Sequence, residues 1–236
     1  GQGHPLCGSD VIEIRHMTAK EEDMLTSEAL IKQGVALDRV VDSLIVDKRV
    51  KASNLLVGDK NALLVAARMT GFGPEYNVGI TCPVCVSENT GEYDLSELTH
   101  NEIDLDQNNT VQLPNGNYEI TFPQYKGLAI EVKLLTGADE KRIVKARDKK
   151  KKAKGPDSLI TDQLSALIVR INEYTDAPSL KRFITECPTK ITREIRTVYD
   201  AIAPDIDMTV DFECTECDYE GKVGLPLTAE FFWPQS

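Results

Sequence analysis

Two short cysteine pairs, Cys82-Pro83-Val84-Cys85 and Cys214-Thr215-Glu216-Cys217, constrain this 236-residue chain more than any other feature. Each pair follows a strand-like run, Asn77-Val78-Gly79-Ile80-Thr81 before the first and Thr209-Val210-Asp211-Phe212-Glu213 before the second. Each is followed by a polar turn that carries a glycine, Gly91 or Gly221, and then by a further short run, Tyr93-Asp94-Leu95 or Lys222-Val223-Gly224-Leu225. The same local plan therefore occurs twice. Two intervening residues let one tight turn aim both sulfurs at a single ion. Two such knuckles facing each other supply the closed four-sulfur shell of a structural zinc site. Two disulfides, or one redox pair with a chance partner, are the competing readings; the matched flanks favour one structural Zn2+ held by Cys82, Cys85, Cys214 and Cys217. As many as 128 residues separate the pairs, a spacing expected if the metal clamps the ends of an inserted region.

The expected fold class is α+β: a zinc-ribbon-like small β subdomain, a helical N-terminal part, and an inserted small antiparallel sheet with helices. The corresponding boundaries are 1–75 for the N-terminal arm, strand and helices, 76–98 with 207–236 for the ribbon and C-terminal tail, and 99–206 for the insert. Within the first part, Val11–Ile14 reads as a short strand. Thr18-x-x-Glu21 reads as a capping box that opens a helix running to about Ile31. Leu37, Val40, Val41 and Leu44 fall at i, i+3, i+4 and i+7, one helix face. Asp59 is placed to cap a third helix that buries Leu63, Leu64 and Ala67 and stops at Gly71-Phe72-Gly73-Pro74.

In the insert, Pro114-Asn115-Gly116-Asn117 between Val111–Leu113 and Tyr118–Phe122 is a hairpin signal. Leu128–Leu134 alternates as a third strand. Helices are expected from Ala138 to about Lys152, after Asp157 with a stripe from Leu159 through Ile171, at Leu180–Cys187 with Cys187 as a core thiol, and after Thr192 as a cap. Cys7 has no assigned role.

Composition limits the function. The charge of −11 and pI near 4.8 argue against nucleic acid as the main partner, because a phosphate backbone repels such a surface. The residues around the knuckles are themselves acidic (Glu88, Glu92, Asp94, Glu213, Glu216, Asp218, Glu220), so the metal reads as a staple rather than a nucleic-acid reader. No run approaches the ~20 apolar residues of a membrane span. The cysteine usage suggests folding in a reducing compartment. His4, His16 and His100 show no ligand-like spacing, and there is no phosphate-binding loop, nucleophile elbow or His-Glu-x-x-His helix. Glu102, Asp104 and Asp106 form a short acidic loop that reads more simply as solvated than as a cation site. A four-cysteine zinc has no open position for substrate, so the expectation is no enzyme, with no catalytic residues. A lysine-rich stretch from Lys141 to Lys154 suits the negative end of a helix dipole or contacts an acidic neighbour. The Phe231-Phe232-Trp233 cluster either folds back or docks on a partner.

Several patterned segments together resemble a known family. Thr18-Ala-Lys-Glu-Glu-Asp23, Leu56-Val-Gly-Asp59 through Arg68, Phe72-Gly73-Pro-Glu-Tyr76, Cys82-Pro83-x-Cys85, Ile191-Thr-Arg-Glu-Ile-Arg196, the second cysteine pair and the Phe-Phe-Trp end are similar to the baseplate proteins of T4-like contractile-tailed bacteriophages. That family is associated with the baseplate hub and its assembly. The resemblance implies a non-enzymatic virion protein, assembled in the bacterial cytoplasm in multiple copies among other baseplate and tail proteins. It leaves two alternatives: an assembly factor or chaperone not retained in the particle, and a nucleic-acid-binding zinc protein.

Overall fold

The computed structural model describes residues 11–101, 103, 105–106, 109–152 and 158–233, with main chain only at 151–152. The described chain is mixed helix and sheet and divides into two compact units, one built from 53–57 and 101–204, the other from 11–52, 58–100 and 205–233.

The first unit is an antiparallel sheet covered on one face by helices. Its strands are β3 (Thr110–Gln112), β4 (Tyr118–Phe122), β5 (Leu128–Val132) and β6 (Ile168–Ile171), in the order β3-β4-β5-β6. The Asn115-Gly116 turn joins β3 to β4, with Gly116 at φ 86, a backbone conformation that favours glycine. Strand alternation puts Tyr118, Ile120, Phe122, Ile130 and Val132 on one face. There they join Leu164, Leu167, Ile184, Ile195, Val198 and Ile202 in one buried cluster. Those residues come from α6 (Leu159–Leu167), α7 (Ala177–Glu186) and α8 (Thr189–Ile202). On the other face Glu119, Glu131 and Arg170 stand in register across β4, β5 and β6. Two carboxylates directly opposite would repel, but Arg170 donates to both, at 2.7 Å to Glu119 and 2.8 Å to Glu131. Asn115 and Asn117 also donate to Glu131, so the hairpin turn is tied to the third strand.

Several sequence expectations change here. The stripe from Leu159 to Ile171 is not one helix: α6 ends at Leu167, and the β-branched run Ile168-Val169-Arg170-Ile171 pairs with β5. Helix α8 starts at Thr189 after Pro188, so Thr192 sits inside it, buried, rather than capping it. Cys187 is the residue after α7 and is only half-buried. The expected helix from Ala138 begins one residue earlier, as α5 (Gly137–Lys152). Asp157 lies outside the described residues.

The second unit begins with α1 (Ala19–Thr26), α2 (Glu28–Lys32), α3 (Ala36–Leu44) and α4, whose sixteen residues Val57–Phe72 belong to it from Gly58 onward. Extended Ser27 (ψ 104) divides α1 from α2 where one helix was expected. Val11–Ile14 supplies only a bridge, Ile14 to Ile45. Asp59 lies in the first turn of α4 rather than before it. The C-terminal cluster folds back: Phe231 and Phe232 are fully buried, and Phe231 packs edge-on against Tyr76 at 4.9 Å. Buried Arg68 of α4 fixes that arrangement. Its guanidinium donates to the carbonyls of Phe231 (3.1 Å), Gly73 (2.7 Å) and Glu75 (2.9 Å), satisfying a charge taken out of water.

Glu21 is the matching buried anion at the start of α1. Its carboxylate accepts from the N–H and hydroxyl of Thr18, from Ser43 at 2.6 Å and from Arg15. Burial pushes its pKa up, but these donors outweigh burial and hold it at about 2, below the ordinary 4.5. A carboxylate with a depressed folded pKa adds stability that is complete above the unfolded value and is lost as pH falls toward the folded one. Glu21→Gln should therefore cost at most about 3 kcal/mol at pH 7. The gap between variant and parent in chemical denaturation should shrink between pH 4.5 and 2; a gap independent of pH would refute the assignment.

Candidate metal centre

The residues after α4 form two hairpins in the second unit. Strand β1 (Glu75–Thr81) pairs with β2 (Glu88–Asp94), and β7 (Thr209–Glu213) pairs with β8 (Glu220–Gly224). The ends away from the cysteines are pinned together: His100 bridges Ile206, and the Asp207 N–H donates to the Thr99 carbonyl. Isolated two-stranded ribbons are marginally stable in water. The first buries Tyr76, Val78 and Ile80, whereas the second buries little besides Phe212.

Each hairpin is closed by a cysteine knuckle, and the two knuckles share two equivalent contacts. The Cys82 N–H donates to the Ser87 carbonyl at 2.9 Å, and the Cys214 N–H to the Tyr219 carbonyl at 2.8 Å. The N–H of Val84 points to Cys82 Sγ, and that of Glu216 to Cys214 Sγ, both at 3.4 Å. Such donors stabilise sulfur that carries negative charge. The residue after each second cysteine adopts positive φ, 62° at Val86 and 53° at Asp218.

All four sulfurs lie within 4.8 Å of one another. The cross-knuckle separations are 3.7 Å for Cys82–Cys217 and 3.6 Å for Cys85–Cys214. A tetrahedron with metal–sulfur bonds of about 2.3 Å requires sulfur separations near ~3.8 Å, so the donor set fits such an ion. These cysteines are free rather than disulfide-bonded. The cluster shares its protons unevenly. Ser87 and the Glu216 N–H pull Cys214 down to about 6; Cys217, although helped by the Tyr219 N–H, is pushed up to about 12 by neighbouring sulfurs, Cys85 foremost. Four thiolates without a cation would repel one another.

Asn89 of β2 was not singled out from the sequence. Its Oδ1 accepts from both the N–H and the hydroxyl of Thr215, each at 2.9 Å, and its amide reaches Cys214 Sγ at 3.7 Å. This buried side chain latches the first hairpin onto the second knuckle. A signal existed: the equivalent place in the second knuckle holds Gly221, so the repeat is broken there by a polar residue.

Other candidates do not join the centre. His16 and His100 are exposed; His4, Cys7, Glu102 and Asp104 lie outside the described residues. In the first unit, a cleft of about 540 Å³ is lined by Leu128, Tyr174, Phe183, Cys187 and Ile191, with Arg182 and Glu186 paired on their own helix. No described helix is long and apolar enough to cross a membrane.

Fold and site together define an α+β protein with a zinc-ribbon-like double knuckle whose four cysteines could hold a metal ion. The family model for the T4 bacteriophage base plate protein matches residues 4–233, and the chain belongs to that family. No curated protein and no solved structure matches the chain.

The left-handed positions make the two knuckles unequal. A left-handed conformation costs an L-residue roughly 1–2 kcal/mol, and a β-branched one is a genuine outlier there. Val86→Gly should relieve this at Val86, while glycine's freer unfolded chain takes back about 0.4–1 kcal/mol. A net gain of up to about 1 kcal/mol, read as a raised thermal midpoint, is expected. A lowered midpoint would mean that the Val86 side chain does more by packing than its backbone costs.

Proposed function

We propose that the chain is a non-enzymatic structural subunit of the hub region of a contractile phage tail baseplate, in which one zinc ion held by Cys82, Cys85, Cys214 and Cys217 fastens the two hairpins. The observation that carries the metal is the convergence of four free sulfurs within 4.8 Å; family membership carries the baseplate role. Zinc supplies no reaction here, since four protein ligands close its shell. What it supplies is cohesion. Structural zinc sites bind with apparent free energies of about 10–16 kcal/mol at neutral pH, and binding is coupled to folding. That is ample to hold the thinly cored β7–β8 hairpin. Thiolates are the soft donors that suit zinc, whereas magnesium and calcium take oxygen.

The role that follows is one of contacts with other baseplate and tail proteins in the assembled particle. Repeated copies in a symmetric assembly agree with the way homomeric assemblies are built. The acidic surroundings of the knuckles speak against nucleic acid as the partner.

Elemental mass spectrometry of the purified chain should find one zinc per chain, with four thiols protected until chelation. Cys82→Ser and Cys214→Ser should each lose the metal and unfold the ribbons. Full folding of both variants without metal would remove the clamp from the proposal. The baseplate role has a separate test. Quantitative mass spectrometry of purified particles should recover the chain at fixed stoichiometry with hub components. Its absence from finished particles would reassign it to transient assembly work.

A further inference from the structure

The charge of this chain is divided. Glu75–Asp94 and 207–230 together hold eleven carboxylates against one lysine, Lys222. Helix α5 alone carries eight lysines and arginines against three acids. Each of these two regions has a local shape. In the second unit, Glu92, Asp94 and Glu97 from the β2 side and Asp207 and Asp211 from the β7 side line a polar cleft of about 400 Å³, into which Lys222 is the one cation contributed. In the first unit, Lys145 and Lys149 stand at i and i+4 along α5, one stripe of the helix, with Val144 exposed beside them. Lys150 is engaged with Asp162 and Arg142 with Asp139, and these pairs hold α5 in place.

We propose that the basic stripe of α5 docks in the acidic cleft of a second copy of this chain, giving a head-to-tail association. The proposal extends the multi-copy reading above. The occupant follows from complementarity. The cleft gathers five carboxylates beside a single lysine, and juxtaposed like charges of this kind are relieved by an incoming cation. Lysine, a compact charge on a long flexible stem, suits a cleft of that size better than a planar fork does. Both patches lie on the same sequence, so every copy carries one donor and one acceptor surface. A contact between two different patches is heterologous: it closes into a ring if the rotation allows and otherwise continues as a filament.

Sedimentation velocity of the full, metal-loaded chain at low and high salt tests this. Association should be present near ~50 mM salt and weaken several-fold or more near ~500 mM, because solvent-exposed ion pairs are screened within a few ångströms there. Two variants separate the surfaces. The helix variant is K145Q/K149Q and the cleft variant is E92Q/D211N; none of the four side chains belongs to the cysteine centre or to the core, and circular dichroism checks their folding. Each alone should be monomeric. Mixed in equal amounts they should form a dimer and stop there, because each retains one of the two complementary patches. A chain that stays monomeric at every salt concentration overturns the inference and leaves the baseplate role standing, the cleft then falling to a basic partner of another sequence. Association indifferent to salt, or unchanged in either variant, overturns it as well.

Discussion

The tips of the two hairpins past α4 in the second unit meet at four sulfur atoms that lie within 4.8 Å of one another. The second hairpin has little apolar surface of its own: it turns Phe212 inward and leaves Asp211, Glu213 and Glu220 in water. Burial at ~25 cal/mol per Å² cannot hold such a ribbon against the entropy of ordering it. The knuckle geometry substitutes for a core. Backbone N–H groups already face the sulfurs, Ser87 lies 2.9 Å from Cys85 and 3.4 Å from Cys214, and Asn89 spans from one hairpin to the other knuckle. Such an arrangement would need little reorganisation to take up a metal ion.

The other end of the same ribbon is held by different physics. Arg68 sits where α4 hands the chain to β1, and it gathers carbonyls from Gly73, Glu75 and Phe231. Its guanidinium also lies over the Phe72 ring at 5.4 Å, a contact worth more when desolvated. The C-terminal aromatics thereby become part of the foundation on which β1 stands, and a partner cannot reach Phe231 or Phe232 without dismantling it. The first hairpin is thus anchored at its base by a buried cation with neutral acceptors and at its tip by sulfur.

What was legible in the sequence was what is local. A Cys-x-x-Cys turn has its geometry set by two intervening residues, so both knuckles and their flanking strands could be read directly. The Asn-Gly hairpin was legible for the same reason, since φ > 0 at Gly116 is a demand of the turn itself. Ile168–Ile171 was not, because Ile171 falls i+4 from Leu167 and continues a helical stripe as smoothly as it starts a strand. Only pairing with Glu131 and Ile130 decides between the two, and pairing is non-local. Ser27 breaks a helix for which the apolar spacing gives no warning. Thr192 looked like a cap because threonine favours that position, but the helix starts three residues earlier, at Thr189, with Pro188 as its N-cap. Asn89 and the tie from Arg68 to the C-terminus were invisible because the partners, Thr215 and Phe231, lie 126 and 163 positions away.

The distribution of charge follows from the same division of labour. A strand paired in a two-stranded ribbon exposes most of its side chains, and exposed strands resist adding further strands when they carry charge. The β7–β8 hairpin carries Asp211, Glu213 and Glu220 in just that way, and Lys222 alone opposes them. Single-sign charge keeps the hairpin from pairing with its own kind, at the expense of self-repulsion that the compact state must bear. Helix α5 has the opposite sign and leans on α6 through the Lys150–Asp162 pair, so the two unbalanced surfaces are carried by different parts of the chain.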